Sequence, residues 1–265
     1  MTVGPDKINN MKTYVINLKD DVLRREYMHG QLRLLPPSLS VEFVEAVDGR
    51  AMSQQESENK FDAEKFLLRY RRKVRPGEVG CTLSHQKCYE KLMRSGEKYA
   101  LILEDDIVVR TDVCSVFPQI EKMVDTDKPL VVLLSGRYWF LGTKRITQTN
   151  YRVANVYDAY LAQSYVINRA AAALSIESRP FVTSDDWFYI RKKGVKIRAI
   201  LPHLIDQDWS GTFPSTINNV KRESCEGMWK RKFQMRWHKR CKSVLKRINH
   251  YETTLDEDIR KRSEL

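Results

Sequence analysis

Apolar residues along this chain come in short runs set between polar stretches, a pattern that predicts alternating strands and helices rather than one repeating period. Lys12-Thr13-Tyr14-Val15-Ile16-Asn17-Leu18 reads as a first strand, and Asp20-Asp21 opens a helix running to Met28. Pro36-Pro37-Ser38 breaks the chain. Residues 41–47 read as a second strand, closed by the turn Asp48-Gly49. Strand followed directly by helix is the opening of an α/β fold. Residues 51–75 are polar, with one short helix predicted at Ala63–Tyr70. The six basic residues between Lys65 and Arg75 fit either a loop near an anionic ligand or a solvated helix face.

Beyond Pro76-Gly77, a helix is predicted from Cys81 to Arg94. Its Cys81, His85, Cys88 and Leu92 share a face, so His85 reads as a core residue as readily as a site residue. Ser84 lies about 100° around that helix, toward a possible cleft. Further elements are a helix over Asp112–Met123 interrupted at Pro118, a strand at Leu130–Ser135, and a loop over 136–150 carrying Trp139 and Phe140. Strands at 151–156 and 160–167 precede an Asn168-capped helix at Arg169–Ser175. A helix opened by Thr183 or Ser184 runs to Gly194, and a strand follows at Val195–Leu201. Residues 203–215 read as irregular.

The chemistry concentrates in Tyr99-Ala100-Leu101-Ile102-Leu103-Glu104-Asp105-Asp106-Ile107-Val108-Val109. Unbroken apolar flanks predict a buried strand. Three carboxylates at its end repel one another and are costly to desolvate, a difficulty that a hard divalent cation relieves through oxygen ligands. In an extended chain, Glu104 and Asp106 point to one side and Asp105 to the other. A solvated turn is the alternative. Asp185 and Asp186 sit in the first turn of the next acidic helix start, where the dipole favours them. One acid suffices as a cap, which leaves the other to face a cleft.

Charge changes the picture only near the end. The net charge is +12, and residues 221–250 carry eleven Lys/Arg against two Glu. Trp229, Phe233, Trp237, Cys241, Leu245 and Ile248 recur there every three or four residues among those cations. This predicts a basic amphipathic helix on an anionic membrane surface, with a helix packed on the body as the alternative. The division follows: a domain over 11–217 and a helical tail over 218–265. Five cysteines without a CxxC pair argue against a disulfide framework or a zinc site. The first ten residues hold no apolar signal core and no run of apolar residues reaches membrane-spanning length, so a cytoplasmic protein is expected.

Three landmarks stand in order: Val15-Ile16-Asn17-Leu18 with Arg24-Arg25; Ala46-Val47-Asp48-Gly49 followed by Gly77-Glu78-Val79-Gly80-Cys81 and Ser84-His85; and Leu101-Ile102-Leu103-Glu104-Asp105-Asp106. Together they resemble glycosyltransferase family 25, the lipooligosaccharide galactosyltransferases, over Lys12 to Ser215. The resemblance implies a GT-A-like α/β fold, a mixed sheet flanked by helices, and inverting transfer of a hexose, commonly galactose from UDP-galactose. It places Glu104 and Asp106 as ligands of Mn²⁺ or Mg²⁺, with Asp106 the safer because Glu104 is one methylene longer. Asp186, before Trp187, becomes the general base. Asn17, Arg24, Asp48, Glu78, Ser84, His85 and Asp105 line the donor pocket, and Gln207 lies near it. The implied partners are a UDP-sugar donor and a lipooligosaccharide glycan acceptor. The cytoplasmic face of the inner membrane would be reached through residues 221–250. Two rivals use the same residues differently: a metal-dependent nucleotidyltransferase, and a non-enzymatic basic adaptor for membrane or nucleic acid. No Walker-type Gly-Lys-Ser/Thr loop supports phosphoryl transfer. Nucleic acid is disfavoured as a partner, because the aromatics form a stripe rather than interleaving with the cations.

Overall fold

The computed structural model describes residues 11–110, 113–208 and 232–252, with side chains from 236 onward in the last segment. The chain begins β1 (Lys12–Asn17), α1 (Val22–Leu32), β2 (Ser40–Glu45), α2 (Gln54–Lys60), α3 (Ala63–Tyr70) and α4 (Pro76–Ser95). It continues through β3 (Tyr99–Glu104), β4 (Ile107–Val109), a short 3₁₀ turn, α5 (Phe117–Val124), β5 (Leu130–Leu133), β6 (Arg137–Arg145), β7 (Arg152–Tyr160) and β8 (Ser164–Asn168). Then follow α6 (Arg169–Ser175), α7 (Trp187–Lys192), β9 (Lys196–Leu201), β10 (Ile205–Gln207), α8 (Lys232–Arg247) and β11 (Tyr251–Glu252).

Nine strands form one mixed sheet in the order β11-β6-β7-β9-β5-β8-β3-β1-β2, and β4 pairs with β10 in a small second ribbon. This is the α/β architecture of mixed sheet and flanking helices expected from the sequence. Strands β2, β1 and β3 are parallel neighbours, with β1 in the middle. From β1 the chain steps to β2 on one side and then crosses back past β1 to β3 on the other, and the carboxyl ends of all three strands open on one edge. In α/β sheets that edge, at a change of strand order, is where ligands bind. The core packs on both faces of the sheet. Tyr14, Ile102, Tyr165 and Trp187 belong to one side, and Val15, Leu101, Leu103 and Val166 to the other. Central strands buried on both faces explain the unbroken apolar runs of β3 and β5.

Several expected boundaries move. Helix α2 is absent from the sequence reading, having no buried residue; a reciprocal Ser53–Glu56 capping box holds its start. Helix α4 starts five residues early, with Pro76 in its first turn, where a missing N–H is harmless. Pro118 likewise sits in the first turn of α5 rather than interrupting a longer helix. The loop expected over 136–150 is mostly strand β6, so Trp139 and Phe140 are buried sheet residues. The two strands expected at 151–156 and 160–167 are β7 and β8, with the break at 161–163. The caps expected of Thr183 or Ser184 fall instead to Asp186, whose side chain accepts the Tyr189 N–H at 2.9 Å.

The proposed 217/218 boundary lies outside the described residues, as does Trp229. Helix α8 packs on the body through His238, Lys242 and Leu245. Asp158, buried in β7, accepts His238 Nε2 at 3.0 Å and Lys242 Nζ at 2.7 Å. Lys242 also lies 3.5 Å over the Trp139 ring. The single apolar face expected of this helix is thereby divided. Leu245 turns inward, while Trp237, Val244 and Ile248 stay exposed. Positions 237, 244 and 248 fall within about 40° of one another on the helix, with Arg236, Arg240 and Arg247 along one flank.

Candidate functional site

A cleft opens at the carboxyl edge of β2, β1 and β3. Its wall includes Asp21 and Arg24 after β1, Val47 to Arg50 after β2, Gly77, Cys81, Ser84 and His85 on α4, and Glu104, Asp105, Asp106 and Gln207. Two glycines bring the β2 loop onto the start of α4. A Cβ on Gly49 would collide with the Pro76 carbonyl, and one on Gly80 with the Val47 carbonyl. Ser84 ties the same contact, accepting the Val47 N–H at 2.8 Å and donating to the Gly80 carbonyl at 2.7 Å. Its role is to fix the wall.

The three acids do not alternate as an extended strand requires. The chain turns at Asp105-Asp106, and the Asp106 carbonyl accepts the Asp208 N–H at 2.7 Å beside the β4–β10 ribbon. Asp105 and Asp106 consequently face the same guanidinium. Arg24 Nη1 lies 2.7 Å from Asp105 Oδ1 and 3.4 Å from Asp106 Oδ2. Asn17 donates to Asp105 Oδ2 at 2.8 Å, and Gln207 to Asp106 Oδ2 at 3.0 Å. Glu104 turns the other way, toward His85 Nε2 at 3.3 Å and the Cys81 thiol at 3.9 Å.

This leaves Asp106 Oδ1 buried without a partner. Burial first, and then the Glu104 charge, push the Asp106 carboxyl up to about 7 against the opposing pull of Arg24. Burial likewise raises Asp105, with Arg24 and Asn17 opposing it. One guanidinium thus serves two buried carboxylates, and an oxygen lone pair faces an otherwise polar cleft. That donor set fits a hard divalent cation, which takes oxygen ligands.

The other expected site residues divide: Asp48 and His85 line the cleft, whereas Glu78 and Asp186 do not. Asp48 lines the cleft and pairs with Arg50 at 2.8 Å, which holds its carboxyl below the usual range. His85 is buried, its Nδ1 2.7 Å from the Tyr165 hydroxyl. Glu78 is outside the wall; it pairs with Arg72 at 2.7 Å and accepts the Arg75 N–H at 3.0 Å. Asp186 is also outside the wall. Besides capping α7, it takes Arg69 Nε at 2.7 Å and a short hydrogen bond from the Tyr70 hydroxyl. These pairings absorb Arg69 and Arg72 from the basic run that had suggested a loop near an anion. Asp185 Oδ2 accepts the Leu161 N–H at 3.1 Å, and burial, reinforced by Asp186 and Glu104, raises its carboxyl against the hydrogen bonds from Thr183 and Leu161. The sequence reading missed Arg50 and Cys81 as wall residues, although both lie inside the quoted motifs or next to them.

The site is thus a cleft at the carboxyl edge of a mixed α/β sheet, walled by acids and arginines. The sequence matches glycosyltransferase family 25 (LPS biosynthesis protein) over residues 10–178, and the chain belongs to that family. It is 37% identical over 110 residues to a glycosyltransferase 25 family member of Aedes aegypti, covering 40% of this chain and 18% of that protein. It is 28% identical over 191 residues to procollagen galactosyltransferase 2 of Homo sapiens, covering 67% of this chain and 29% of that one. The human inactive glycosyltransferase 25 family member 3 is 24% identical over 215 residues, covering 77% of this chain and 33% of its own length. The chain thus spans a third or less of these relatives.

Proposed function

We propose that this chain transfers a hexose, galactose from UDP-galactose, to an acceptor hydroxyl with inversion at the anomeric carbon. The observation that carries the reading is the unpartnered, buried Asp106 oxygen in a cleft at the carboxyl ends of β2, β1 and β3. Asp106 would hold Mn²⁺ or Mg²⁺, with Glu104 as a second, less direct ligand. Such an ion, when bound, neutralises charge on a departing diphosphate. Arg24 holds Asp105 and Asp106 in place, Asn17 takes the other Asp105 oxygen, and Gln207 shares Asp106 Oδ2 with Arg24, which leaves Asp106 Oδ1 open. The test is a panel of UDP-sugars with Mn²⁺, scored by donor hydrolysis without acceptor. Turnover of a nucleoside triphosphate with no UDP-sugar hydrolysis would favour the nucleotidyltransferase instead.

The proton of the acceptor hydroxyl goes to the Asp185–Asp186 pair. Asp186 is tied by Arg69, Tyr70 and the α7 backbone, which suits a residue that positions its neighbour. Asp185, whose buried carboxyl is raised and whose Oδ2 accepts the Leu161 N–H, is the second candidate for the base. Asp185→Asn is expected to lower turnover by about 10² to 10⁴ with donor binding kept. Asp186→Asn keeps an amide oxygen to cap α7 but removes the charge paired with Arg69, and is expected to lower stability by about 1 to 3 kcal/mol. Stable Asp186→Asn protein without turnover, beside active Asp185→Asn, would return the base to Asp186.

The acceptor is taken to be a lipooligosaccharide glycan, in keeping with the family's description. The procollagen galactosyltransferase relatives favour a second reading, a hydroxyl on a polypeptide, and an acceptor panel containing both separates them. The exposed ridge of Trp237, Val244 and Ile248 beside three arginines supports attachment to an anionic membrane surface, the cytoplasmic face of an inner membrane. No helix among the described residues is long and apolar enough to cross a membrane. Trp237→Glu is expected to weaken sedimentation with vesicles of phosphatidylglycerol at least fivefold in the intact chain, and to leave zwitterionic vesicles unbound as before. Equal sedimentation of the variant would remove the ridge from that role.

A further inference from the structure

Behind the Asp105–Asp106 turn, three side chains of different chemistry converge on one point. Cys81 and His85 lie one turn apart on α4, and Glu104 comes from the end of β3. Their ligand atoms all fall within 4.8 Å of one another. Around a tetrahedral zinc-class ion, sulfur, nitrogen and oxygen ligands lie about 3.3 to 3.6 Å apart, given metal distances of about 2.0 to 2.3 Å. His85 Nε2 and Glu104 Oε1 are already 3.3 Å apart, and Cys81 Sγ is 3.9 Å from that oxygen. Closing the set from within 4.8 Å takes side-chain shifts on the order of 1 Å.

The surroundings orient these ligands. His85 Nδ1 is 2.7 Å from the Tyr165 hydroxyl, which is itself 2.8 Å from the Tyr89 hydroxyl. The ring is also stacked on Tyr165 at 5.7 Å, so Nε2 is the nitrogen presented to the cleft. An outer partner on the far nitrogen is what metal-binding histidines regularly have. Cys81 Sγ is steadied at 3.1 Å by Ser184 Oγ. Cys81, His85 and Glu104 all line the cleft, which leaves the fourth coordination position facing it.

We propose that Cys81, His85 and Glu104 form a binding site for a thiophilic divalent cation of the zinc class, separate from the hard-cation position on Asp106. Sulfur and imidazole select zinc-class ions, whereas the Asp106 side offers only oxygen. The sequence argued against zinc from the lack of a CxxC pair; the third ligand arrives from another element, 19 residues beyond His85. Binding exchanges the thiol proton for a metal–sulfur bond and releases that proton to solvent. Because Glu104 is shared between the two positions, the soft ion competes with the hard one for the cleft.

The test uses the full chain, stripped with a chelator and titrated with Co²⁺ alone, with no sugar nucleotide present. The expected result is one equivalent bound with a thiolate-to-cobalt charge-transfer absorption, displaced by Zn²⁺. Cys81→Ser should abolish that absorption and weaken Zn²⁺ binding at least tenfold with an unchanged circular dichroism spectrum, while Cys114→Ser should keep both. Absence of the absorption in the parent chain, or its survival in Cys81→Ser, would overturn the site. The readout needs no glycosyl transfer, so its failure leaves the proposed activity standing, and the converse holds.

Discussion

Arg24→Met is expected to destabilise the metal-free chain by about 3 to 5 kcal/mol at pH 8, the range for stranding buried charge. Arg24 is buried, and its Nη1 reaches both Asp105 and Asp106. Methionine fills much of the volume, so the loss reports the missing charge rather than a cavity. Protonation offers the stranded carboxylates a way out. Desolvation already raises both acids in the parent, and removal of Arg24 takes away the main force holding them down. The variant's penalty should therefore shrink as pH falls to about 5, and Asp105→Asn added to Arg24→Met should recover part of it. Urea unfolding followed by tryptophan fluorescence measures this, with buried Trp187 as a reporter. A loss under about 1 kcal/mol, or one indifferent to pH, would mean that water or a rearranged partner already neutralises the acids.

The pairing behind that expectation could not be read locally, and neither could much of the site. Strands β3 and β5 were legible because burial on both faces writes an apolar run, and β1 through its β-branched residues. So were the Asn168 cap and helix α3. Strand β6 was not, because its ladder with β7 slips register on both sides of Phe140 and the period of two is lost. Asp158 reads as a strand break, yet it is buried to receive His238 and Lys242 from a helix about 80 residues later. A helix start read at Cys81 leaves Gly80 outside the helix. Gly80 in fact lies inside α4, where the backbone of the β2 loop leaves no room for a side chain. At the site itself, the acids announced that something must neutralise them. Alternation then misplaced their directions, because hydrogen bonding between β4 and β10 turns the chain after Glu104. The partners Arg24 and Gln207 lie 82 and 101 residues from Asp106, a distance over which no periodicity carries information.

The same acid pair sets up the second large effect. Asp106→Asn should lower sugar transfer by about 10³ while making the metal-free protein more stable above pH 7. The rate loss follows if Asp106 is the principal anionic ligand of a divalent ion that stabilises a departing diphosphate. The gain in stability follows from the direction of the Asp106 shift. In the unfolded chain this carboxyl gives up its proton near pH 4, whereas folded it keeps the proton up to about 7. Between those values the folded state binds more protons than the unfolded one, so stability falls as pH rises through the interval and stays low above it. Asparagine carries no such penalty. Variant and parent should then converge below about pH 4 and separate most at pH 8, and added Mn²⁺ should stabilise only the parent. Because the ion displaces the Asp106 proton, parental Mn²⁺ affinity should climb with pH and level off past about 7. Calorimetric titration across pH 5.5 to 8.5, beside thermal unfolding with and without EDTA, reads both limbs. A variant that keeps parental activity with Mn²⁺, or that is less stable than the parent at pH 8 in EDTA, would show that the unpartnered oxygen of Asp106 is a feature of packing and holds no ion.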